Sequence, residues 1–357
     1  MENKAKIASV VGARPNFVKL YPIHNAIRNY SEHTIIHTGQ HYDYELSETF
    51  FKEFDLPKPH YNLNVGSGTQ AFQIGEMIKR LEAIFLKSDF DLVIVYGDTN
   101  STLAGAFSAM RSGIKVAHVE AGLRSFDRRM PEEINRILTD NLSDYLFAPT
   151  ETAVRNLKNE HVYGKIFNTG DLSVEIINHA IKLSSKSKIL DHLELEPKSY
   201  ILFTMHRAEN TDSKDSLIAI IHAFELLSEI KIVFPIHPRT KKVLKEKNLY
   251  ERLLKCKNVK LIKPLGYLDF VKLMKNANKV ITDSGGIQKE SYLLAVPCIT
   301  IRNNTEWIET VDAGWNLITG MHTNKIVKAA RNWIPTTKIK PILGDGRTST
   351  IIKDLLC

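Results

Sequence analysis

Short apolar runs alternate along the chain with longer segments in which apolar residues recur every three or four positions. The short runs predict β-strands and the longer segments predict helices, because the two patterns match the side-chain periods of these elements. Such alternation predicts an α/β fold in which parallel sheets carry helices on both faces. The predicted strands are residues 7–11, 34–37, 92–96, 115–119, 145–147, 166–168, 201–204, 232–235, 259–262, 280–282 and 298–301.

The length of 357 residues is too great for one ordinary core and suits two domains. A polar stretch rich in lysine and serine occupies residues 180–199 and marks the best boundary region. We therefore expect one domain at residues 1–175, a second at residues 176–344, and a closing helix at residues 345–357.

The composition narrows the class of protein. Cys256, Cys298 and Cys357 show neither a pairing pattern nor metal-ligand spacing, which indicates a reduced, cytoplasmic protein without a structural metal. The N-terminus leads directly into a predicted strand, so we expect no signal peptide, and no apolar stretch approaches the roughly 20 residues of a membrane helix. The formal charge of +8 suits anionic ligands, but the basic residues do not alternate with aromatic ones, which argues against nucleic acid.

Polar residues and glycines gather directly after six of the predicted strands. Ligands of open α/β sheets bind outside the carboxyl ends of the strands, so clusters from both halves of the chain predict one cleft between two facing sheets. The clusters are residues 12–14, 97–100, 120–124, 206–210, 237–239 and 283–286.

Two of these clusters have the composition of a phosphate-binding turn. The segment 283–290, Asp-Ser-Gly-Gly-Ile-Gln-Lys-Glu, places a Ser-Gly-Gly turn between a buried strand and a helix, where free N–H groups and the helix dipole favour an anion. Glu290 follows within that helix, in reach of a ribose hydroxyl. A second glycine turn near the N-terminus carries the cations Arg14 and Lys19. One such turn in each half suggests a bound diphosphate.

Four acidic residues of the first half are candidates for acid–base chemistry. Asp98 and Glu120 end strands that could be neighbours, and two carboxylates near one substrate can act as base and acid when their environments differ. Structural alternatives stay open, because Asp98 could cap the following helix and Glu132 could be a first-turn helix residue. Salt bridges to nearby arginines are a further alternative, also for Glu133; these arginines are Arg124, Arg128, Arg129 and Arg136.

Two histidines, His206 and His237, end strands of the second half, where they suit phosphate contacts or proton transfer. The candidate ligands are too dispersed for a metal site, and Ser284 does not lie in the Gly-x-Ser-x-Gly elbow of a serine hydrolase. The chain contains neither a Gly-x-Gly-x-x-Gly motif nor a P-loop, so we expect no NAD or ATP cofactor.

The ordered set of motifs resembles the non-hydrolysing UDP-N-acetylglucosamine 2-epimerases from residue 7 to about residue 346. Each motif alone is weak, but the order and spacing of the whole set are specific. The motifs are Gly-Ala-Arg-Pro at 12–15, Thr-Gly-Gln-His at 38–41, Gly-Asp-Thr-Asn-Ser-Thr-Leu-Ala at 97–104, His-Val-Glu-Ala-Gly-Leu-Arg at 118–124, Pro-Glu-Glu-Ile-Asn-Arg at 131–136, His-Arg-Ala-Glu-Asn at 206–210 and Thr-Asp-Ser-Gly-Gly-Ile-Gln at 282–288.

The resemblance implies a GT-B-like fold, with two Rossmann-type domains facing across a cleft and residues 345–357 packing back on the first domain. It implies a cofactor-independent homodimer that inverts carbon 2 of a UDP-N-acetylhexosamine. In this family a base removes the carbon-2 proton, UDP leaves to give a bound glycal, and UDP adds again after protonation from the opposite face.

The resemblance also assigns roles to individual residues. Asp98, Glu120 and Glu132 match the catalytic carboxylates, and His206 matches the active-site histidine. The substrate-binding positions are Arg14 and Lys19 near the diphosphate, Ser284, Gly285 and Gly286 in the phosphate turn, Glu290 at the ribose and Phe270 near the uracil.

Two departures from the family pattern bear on the identity of the sugar. Residues 305–309 read Thr-Glu-Trp-Ile-Glu where the family usually has Thr-Glu-Arg-Pro-Glu, and Ala208 replaces an arginine. The version with Trp307, together with Arg-Ser-Phe at 124–126, Arg-Met-Pro-Glu-Glu at 129–133 and Gln-Lys-Glu at 288–290, is more similar to the branch that acts on UDP-2,3-diacetamido-2,3-dideoxyglucuronate. Trp307 would then shape the sugar pocket, although it could simply pack its loop onto the second domain.

Three alternative functions share parts of this pattern. A GT-B glycosyltransferase has the same fold and nucleotide site, a hydrolysing epimerase releases the free sugar, and a non-catalytic sensor only binds the UDP-sugar. The complete set of acidic residues in the first half favours the isomerase.

Overall fold

The computed structural model describes residues 4–40, 51 and 53–357, with the main chain alone at Arg14 and Ala208. The chain divides into two compact units. Unit 1 consists of Met1–Ile176 and Leu343–Cys357, and unit 2 consists of Ile177–Ile342.

Unit 1 is built on a seven-stranded sheet in which all neighbouring strands are parallel, in the order β3-β2-β1-β4-β5-β6-β7. The order reverses beside β1, which creates a switch point between β1 and β4 where ligands of such sheets bind. The strands are β1 (Ala5–Val11), β2 (Ser31–His37), β3 (Tyr61–Asn62), β4 (Leu92–Tyr96), β5 (Lys115–Val119), β6 (Tyr145–Ala148) and β7 (Lys165–Asn168).

Helices pack against this sheet, and the last helix of the chain packs against the first. The described helices of this part of the chain are α1 (Arg14–Ile27), α2 (Gln70–Phe85), α3 (Asn100–Arg111), α4 (Pro131–Leu142), α5 (Glu151–Asn159), α6 (Ser173–Ser184), within which the chain passes from unit 1 to unit 2, and α16 (Thr348–Leu356).

Unit 2 carries a six-stranded parallel sheet in the order β10-β9-β8-β11-β12-β13. Its strands are β8 (Tyr200–Thr204), β9 (Lys231–Pro235), β10 (Val259–Ile262), β11 (Lys279–Thr282), β12 (Cys298–Thr300) and β13 (Asn316–Ile318). Its helices are α7 (Ile189–His192), α8 (Ala208–Thr211), α9 (Lys214–Leu226), α10 (Pro238–Glu246), α11 (Tyr250–Leu254), α12 (Tyr267–Asn276), α13 (Gly285–Leu293), α14 (Ile308–Asp312) and α15 (Thr323–Asn332).

The prediction of an α/β fold with parallel sheets is confirmed, and each of the eleven predicted strands is present. The sequence pattern missed β3 and β13, which have two and three residues and lie at sheet edges. Runs this short contain too few positions to show an alternation of apolar and polar residues. No helix in the described ranges combines the length and apolar character needed to cross a bilayer.

A chain of hydrogen bonds links four polar side chains within unit 1. Tyr96 Oη lies 2.7 Å from Ser9 Oγ, which lies 2.8 Å from His33 Nε2. His33 Nδ1 in turn lies 2.8 Å from His24 Nδ1, so only one of these two nitrogens can carry the shared proton. Burial lowers the pKa of His33 to about 3 and that of His24 to about 4. Both rings are therefore neutral at pH 7.

The histidine pair should make the unfolding free energy fall as the pH drops below 6.5. In the unfolded chain these histidines bind protons near the ordinary histidine pKa of about 6.5, whereas in the folded chain they stay neutral down to about pH 4. Their contribution to the free energy of unfolding is therefore fully present above about pH 6.5 and is lost as the pH falls from there to about 4. His33→Asn should lower the slope of the unfolding free energy against pH by up to about 1.4 kcal/mol per pH unit. Urea titrations from pH 7.5 to pH 5 measure this slope. His192→Asn, at an exposed histidine, is the control, and an identical slope in His33→Asn and wild type would contradict the prediction.

Candidate active site

The candidate residues form two groups, one in each unit, at the carboxyl ends of parallel strands. In unit 1, β4 and β5 are neighbours, with Tyr96 opposite Val119. This pairing confirms that Asp98 and Glu120 follow adjacent strands.

Asp98 does not cap α3, so that structural alternative is wrong. The N-cap of α3 is Thr99, whose side chain accepts a hydrogen bond from the Thr102 N–H. The Asp98 carboxylate instead accepts from Arg136, with Oδ2 at 3.1 Å from Nε and 2.6 Å from Nη2. The Asp98 side chain keeps 32% of its exposure, so it remains accessible to a ligand.

Arg136, which the sequence interpretation treated only as a salt-bridge partner, holds a candidate site residue. It is almost completely buried on α4, where its Nη1 also donates to Glu133 Oε2 at 2.7 Å. One guanidinium thus orients the carboxylates of Asp98 and Glu133. The salt-bridge interpretation is correct for Glu133, which is buried and structural.

Glu120 follows β5 with a φ of 74°, in the left-handed region that L-residues rarely adopt. Its carboxylate forms an ion pair with Lys19 of α1, and both side chains are about nine-tenths buried. Gly97 borders this pair, because a Cβ there would lie 3.0 Å from Lys19 Nζ and 3.2 Å from Glu120 Oε2. Strain and close approach coincide at this point, as they often do at functional sites.

A buried ionic network lies beneath the strand ends that carry these residues. His118 Nδ1 lies 2.7 Å from Asp140 Oδ1, and His118 Nε2 donates to the Gly97 carbonyl at 2.7 Å. Burial opposes ionisation of Asp140, but the charges of His118 and Arg124 outweigh it and lower the pKa of this carboxyl. Since a carbonyl oxygen only accepts, the Nε2–H of His118 donates to it and fixes the main chain at Gly97.

Glu132 lies in the first turn of α4 and is half-buried. Among the described residues it has no hydrogen-bond or ion-pair partner, so its carboxylate is available for a ligand. Arg14 is the first residue of α1, but its side chain lies outside the described part of the chain.

In unit 2, Asp283 fixes the segment that follows β8. Asp283 is completely buried, and its carboxylate accepts from the main-chain N–H of His206 at 3.1 Å and of Arg207 at 3.0 Å. The Asn210 amide donates to it at 3.1 Å. The His206 side chain stays 43% exposed, and its ring centroid lies 5.9 Å from that of His237. Asp283 was part of a sequence motif but was not predicted as a site residue, because its partners are distant in sequence.

The two glycines of the predicted phosphate turn have different surroundings. A Cβ on Gly285 would lie 2.0 Å from Glu306 Oε1, so a larger residue here would have to displace the Glu306 carboxylate. A Cβ on Gly286 would meet only Ser284 Oγ, at 3.9 Å, so space is open there. Ser284 is the N-cap of α13, and its side chain makes no cap hydrogen bond. The N-terminus of α13 thus presents a hydroxyl and main-chain N–H groups beside open space, which suits an anion.

Two arginines contact Glu306, the residue beside Gly285 of this turn. Buried Arg302 donates from Nη1 to Glu306 Oε2 at 2.9 Å, and Arg207 Nη2 lies 3.6 Å from Glu306 Oε1. Trp307 is only 3% exposed, and Lys289 Nζ lies 4.4 Å from the centroid of its ring. This burial is consistent with the packing interpretation of Trp307.

Tyr267 of α12 lies close to two predicted site residues, Glu290 and Phe270. The Tyr267 hydroxyl donates to Glu290 Oε1 at 3.0 Å, and Phe270 follows Tyr267 by one helical turn and is buried. Tyr267 therefore orients the predicted ribose ligand, a role that the sequence motifs did not indicate.

The two groups suit different chemistry. Unit 2 combines an open helix N-terminus, a histidine and an arginine, which can hold a diphosphate. Unit 1 combines two oriented carboxylates and a third that has no partner among the described residues, and such groups can exchange protons with a bound substrate.

Comparison with known proteins identifies the relatives of this chain. The family model described as UDP-N-acetylglucosamine 2-epimerase matches residues 25–357. A UDP-N-acetylglucosamine 2-epimerase homolog of Methanococcus maripaludis is 53% identical over 354 residues, which cover 98% of this chain and 99% of the relative. A UDP-2,3-diacetamido-2,3-dideoxy-D-glucuronate 2-epimerase of Pseudomonas aeruginosa is 42% identical, with 98% of this chain and 99% of the relative covered.

The structural comparison agrees. The crystal structure of Methanocaldococcus jannaschii UDP-GlcNAc 2-epimerase in complex with UDP-GlcNAc and UDP superposes with a TM-score of 0.92 at 45% identity, covering 98% of this chain and 99% of that one. This similarity confirms the expected GT-B-like fold of two parallel-sheet domains. The chain belongs to the UDP-N-acetylglucosamine 2-epimerase family.

Proposed function

We propose that the protein is a non-hydrolysing 2-epimerase of a UDP-N-acetylhexosamine. The substrate is UDP-GlcNAc, giving UDP-ManNAc, or a modified relative such as UDP-2,3-diacetamidoglucuronate. The observation that carries the proposal is the pairing of Asp98 with Arg136 and of Glu120 with Lys19 within one unit.

In the proposed reaction one carboxylate of unit 1 takes the carbon-2 proton. The bond between carbon 1 and the diphosphate oxygen breaks, its electron pair leaves with UDP, and a double bond forms between carbons 1 and 2. Protonation of carbon 2 from the opposite face and return of UDP complete the inversion. Two faces require acid–base groups on two sides of the sugar, which is the role we assign to Asp98, Glu120 and Glu132.

Unit 2 is proposed to hold the UDP. Negative charge grows on the diphosphate as it leaves, and fixed donors stabilise such charge most when they are oriented beforehand. Ser284, the N–H groups at Gly285 and Gly286, and His206 are the proposed donors, together with Arg14 and Lys19 of unit 1. Glu290 is assigned to the ribose and Phe270 to the uracil.

Turnover in deuterated water tests this function. Proton NMR should show deuterium at carbon 2 of the product with UDP still attached, because a carboxylate that holds the abstracted proton exchanges it with solvent. UDP-GlcNAc and UDP-2,3-diacetamidoglucuronate are compared as substrates. Epimerised product without deuterium would exclude proton abstraction by an exchanging group, and free sugar as the main product would favour a hydrolysing enzyme.

We also propose a cytoplasmic homodimer that supplies polysaccharide biosynthesis. Helices α3 and α4 of unit 1 leave Phe107 and Met110 each 38% exposed and Leu138 45% exposed, and a second copy could cover this apolar face. Light scattering should then give twice the chain mass of 40.5 kDa. Deletion of the gene should deplete the epimerised sugar from the polysaccharides of the cell.

A further inference from the structure

Phe126 combines two unfavourable features on the loop between β5 and α4. Its φ is 57°, a left-handed conformation in which the Cβ of a bulky residue is crowded. Its side chain is also 76% exposed, so the phenyl ring gains little from burial. Strain of this kind persists only where the surrounding structure imposes it.

The Glu133 carboxylate imposes this conformation. Glu133 is 1% exposed and accepts hydrogen bonds from the main-chain N–H of Ser125 and of Phe126, both at 2.9 Å. It also accepts from the Ser125 hydroxyl at 3.0 Å. A buried carboxylate thus holds three donors of one short loop segment.

The same network reaches a candidate catalytic carboxylate. Arg136 donates from Nη1 to Glu133 and from Nη2 to Asp98, at 2.7 Å and 2.6 Å. Phe126 is therefore fixed relative to Asp98 through Glu133 and Arg136. An exposed aromatic side chain whose main chain is fixed relative to a candidate catalytic carboxylate suits contact with the substrate.

We propose that Phe126 covers the reacting sugar and keeps water away from the unsaturated intermediate. This inference rests on the proposed epimerase function. The apolar ring packs on the face of the sugar, and it prevents escape or hydration of the glycal while UDP is detached. Phe126 is then a substrate-contacting residue that determines how faithfully elimination is followed by re-addition.

Two substitutions separate the ring from the backbone strain. Phe126→Asn removes the apolar cover, and asparagine tolerates a positive φ better than phenylalanine does. Phe126→Leu keeps an apolar side chain. The readout is the amount of UDP released together with free glycal or free sugar, divided by the amount of epimerised UDP-sugar, measured by NMR. We expect this ratio to rise about tenfold or more in Phe126→Asn and to stay near the wild-type value in Phe126→Leu.

His161→Asn is the matched control, because His161 is also exposed in unit 1 and has a φ of 53°. It should relieve strain and raise the melting temperature without changing the product ratio. An unchanged product ratio in Phe126→Asn, with wild type epimerising normally, would overturn the inference. Loss of the dimer in Phe126→Asn, with no change in the product ratio, would also overturn it. Failure of wild type itself to epimerise would instead reject the proposed function.

Discussion

Asp98→Asn and Glu120→Gln should each lower kcat by about a thousandfold or more while UDP affinity stays within about threefold. An amide is nearly isosteric with a carboxylate but cannot accept a proton from carbon 2. The two residues are proposed to act on the sugar, so the nucleotide should still bind. Deuterium incorporation in the recovered substrate reports the proton-transfer step, and calorimetry with UDP reports binding.

The ion pairs of Asp98 and Glu120 determine whether each variant still folds and which control variant is needed. In Asp98→Asn, Arg136 keeps its contact with Glu133, so the fold should survive. In Glu120→Gln, the Lys19 ammonium can donate to the amide oxygen in place of the carboxylate. Glu76→Gln is the control, because it neutralises the carboxylate partner of Arg80 on α2, outside the site. A tenth or more of wild-type kcat in either site variant would remove that residue from the chemistry, and a parallel loss of UDP affinity would indicate misfolding.

The positions of the candidate residues could be predicted from the sequence because they depend on local signals. Asp98, Glu120, His206 and Ser284 each follow an apolar run that forms a strand, and parallel strands carry such residues to one edge of the sheet. The apolar runs also predicted parallel sheets with helices on both faces, since continuous burial of a strand requires cover on both faces.

The partners of these residues could not be predicted, because they depend on strand order and packing. Asp98 and Arg136 are 38 positions apart, and Lys19 and Glu120 are 101 positions apart. The Lys19 contact arises because β1, which leads into α1, lies only one strand away from β5, with β4 between them. No local pattern encodes this strand order. A salt bridge to Arg136 was considered for several acids, but the sequence could not distinguish Asp98 from Glu132.

The surroundings of the phosphate turn were unpredictable for the same reason. Both glycines fit a turn that lets an anion approach, yet only Gly286 borders open space. Gly285 packs against Glu306, a residue of the segment after β12. The motif therefore predicted the turn, but not the contact between Gly285 and Glu306, which depends on packing.

Trp307→Arg should be strongly destabilising on its own, by about 3–5 kcal/mol. Trp307 is 3% exposed, and the Lys289 ammonium lies 4.4 Å from its ring centroid, a favourable cation–π contact. A guanidinium at this position would place a second cation beside buried Lys289. Addition of Lys289→Glu should recover most of the loss, because it replaces the like charge with a carboxylate partner. Urea unfolding of both single variants, the double variant and wild type should give a coupling of about 2 kcal/mol or more.

The double variant Lys289→Glu/Trp307→Arg also tests what Trp307 does for the substrate. Trp307 lies beside the phosphate turn, since its Nε1 would be 3.5 Å from a Cβ on Gly285. If its apolar face accommodates a sugar with an extra substituent at carbon 3 or a carboxylate at carbon 6, the variant should shift relative kcat/KM towards UDP-GlcNAc by about tenfold. Unchanged preference in a stably folded double variant would assign Trp307 to packing alone. The double variant is needed to separate a specificity role from a packing role. Trp307→Arg alone would lose activity on both UDP-sugars by destabilisation before any change in specificity could be measured.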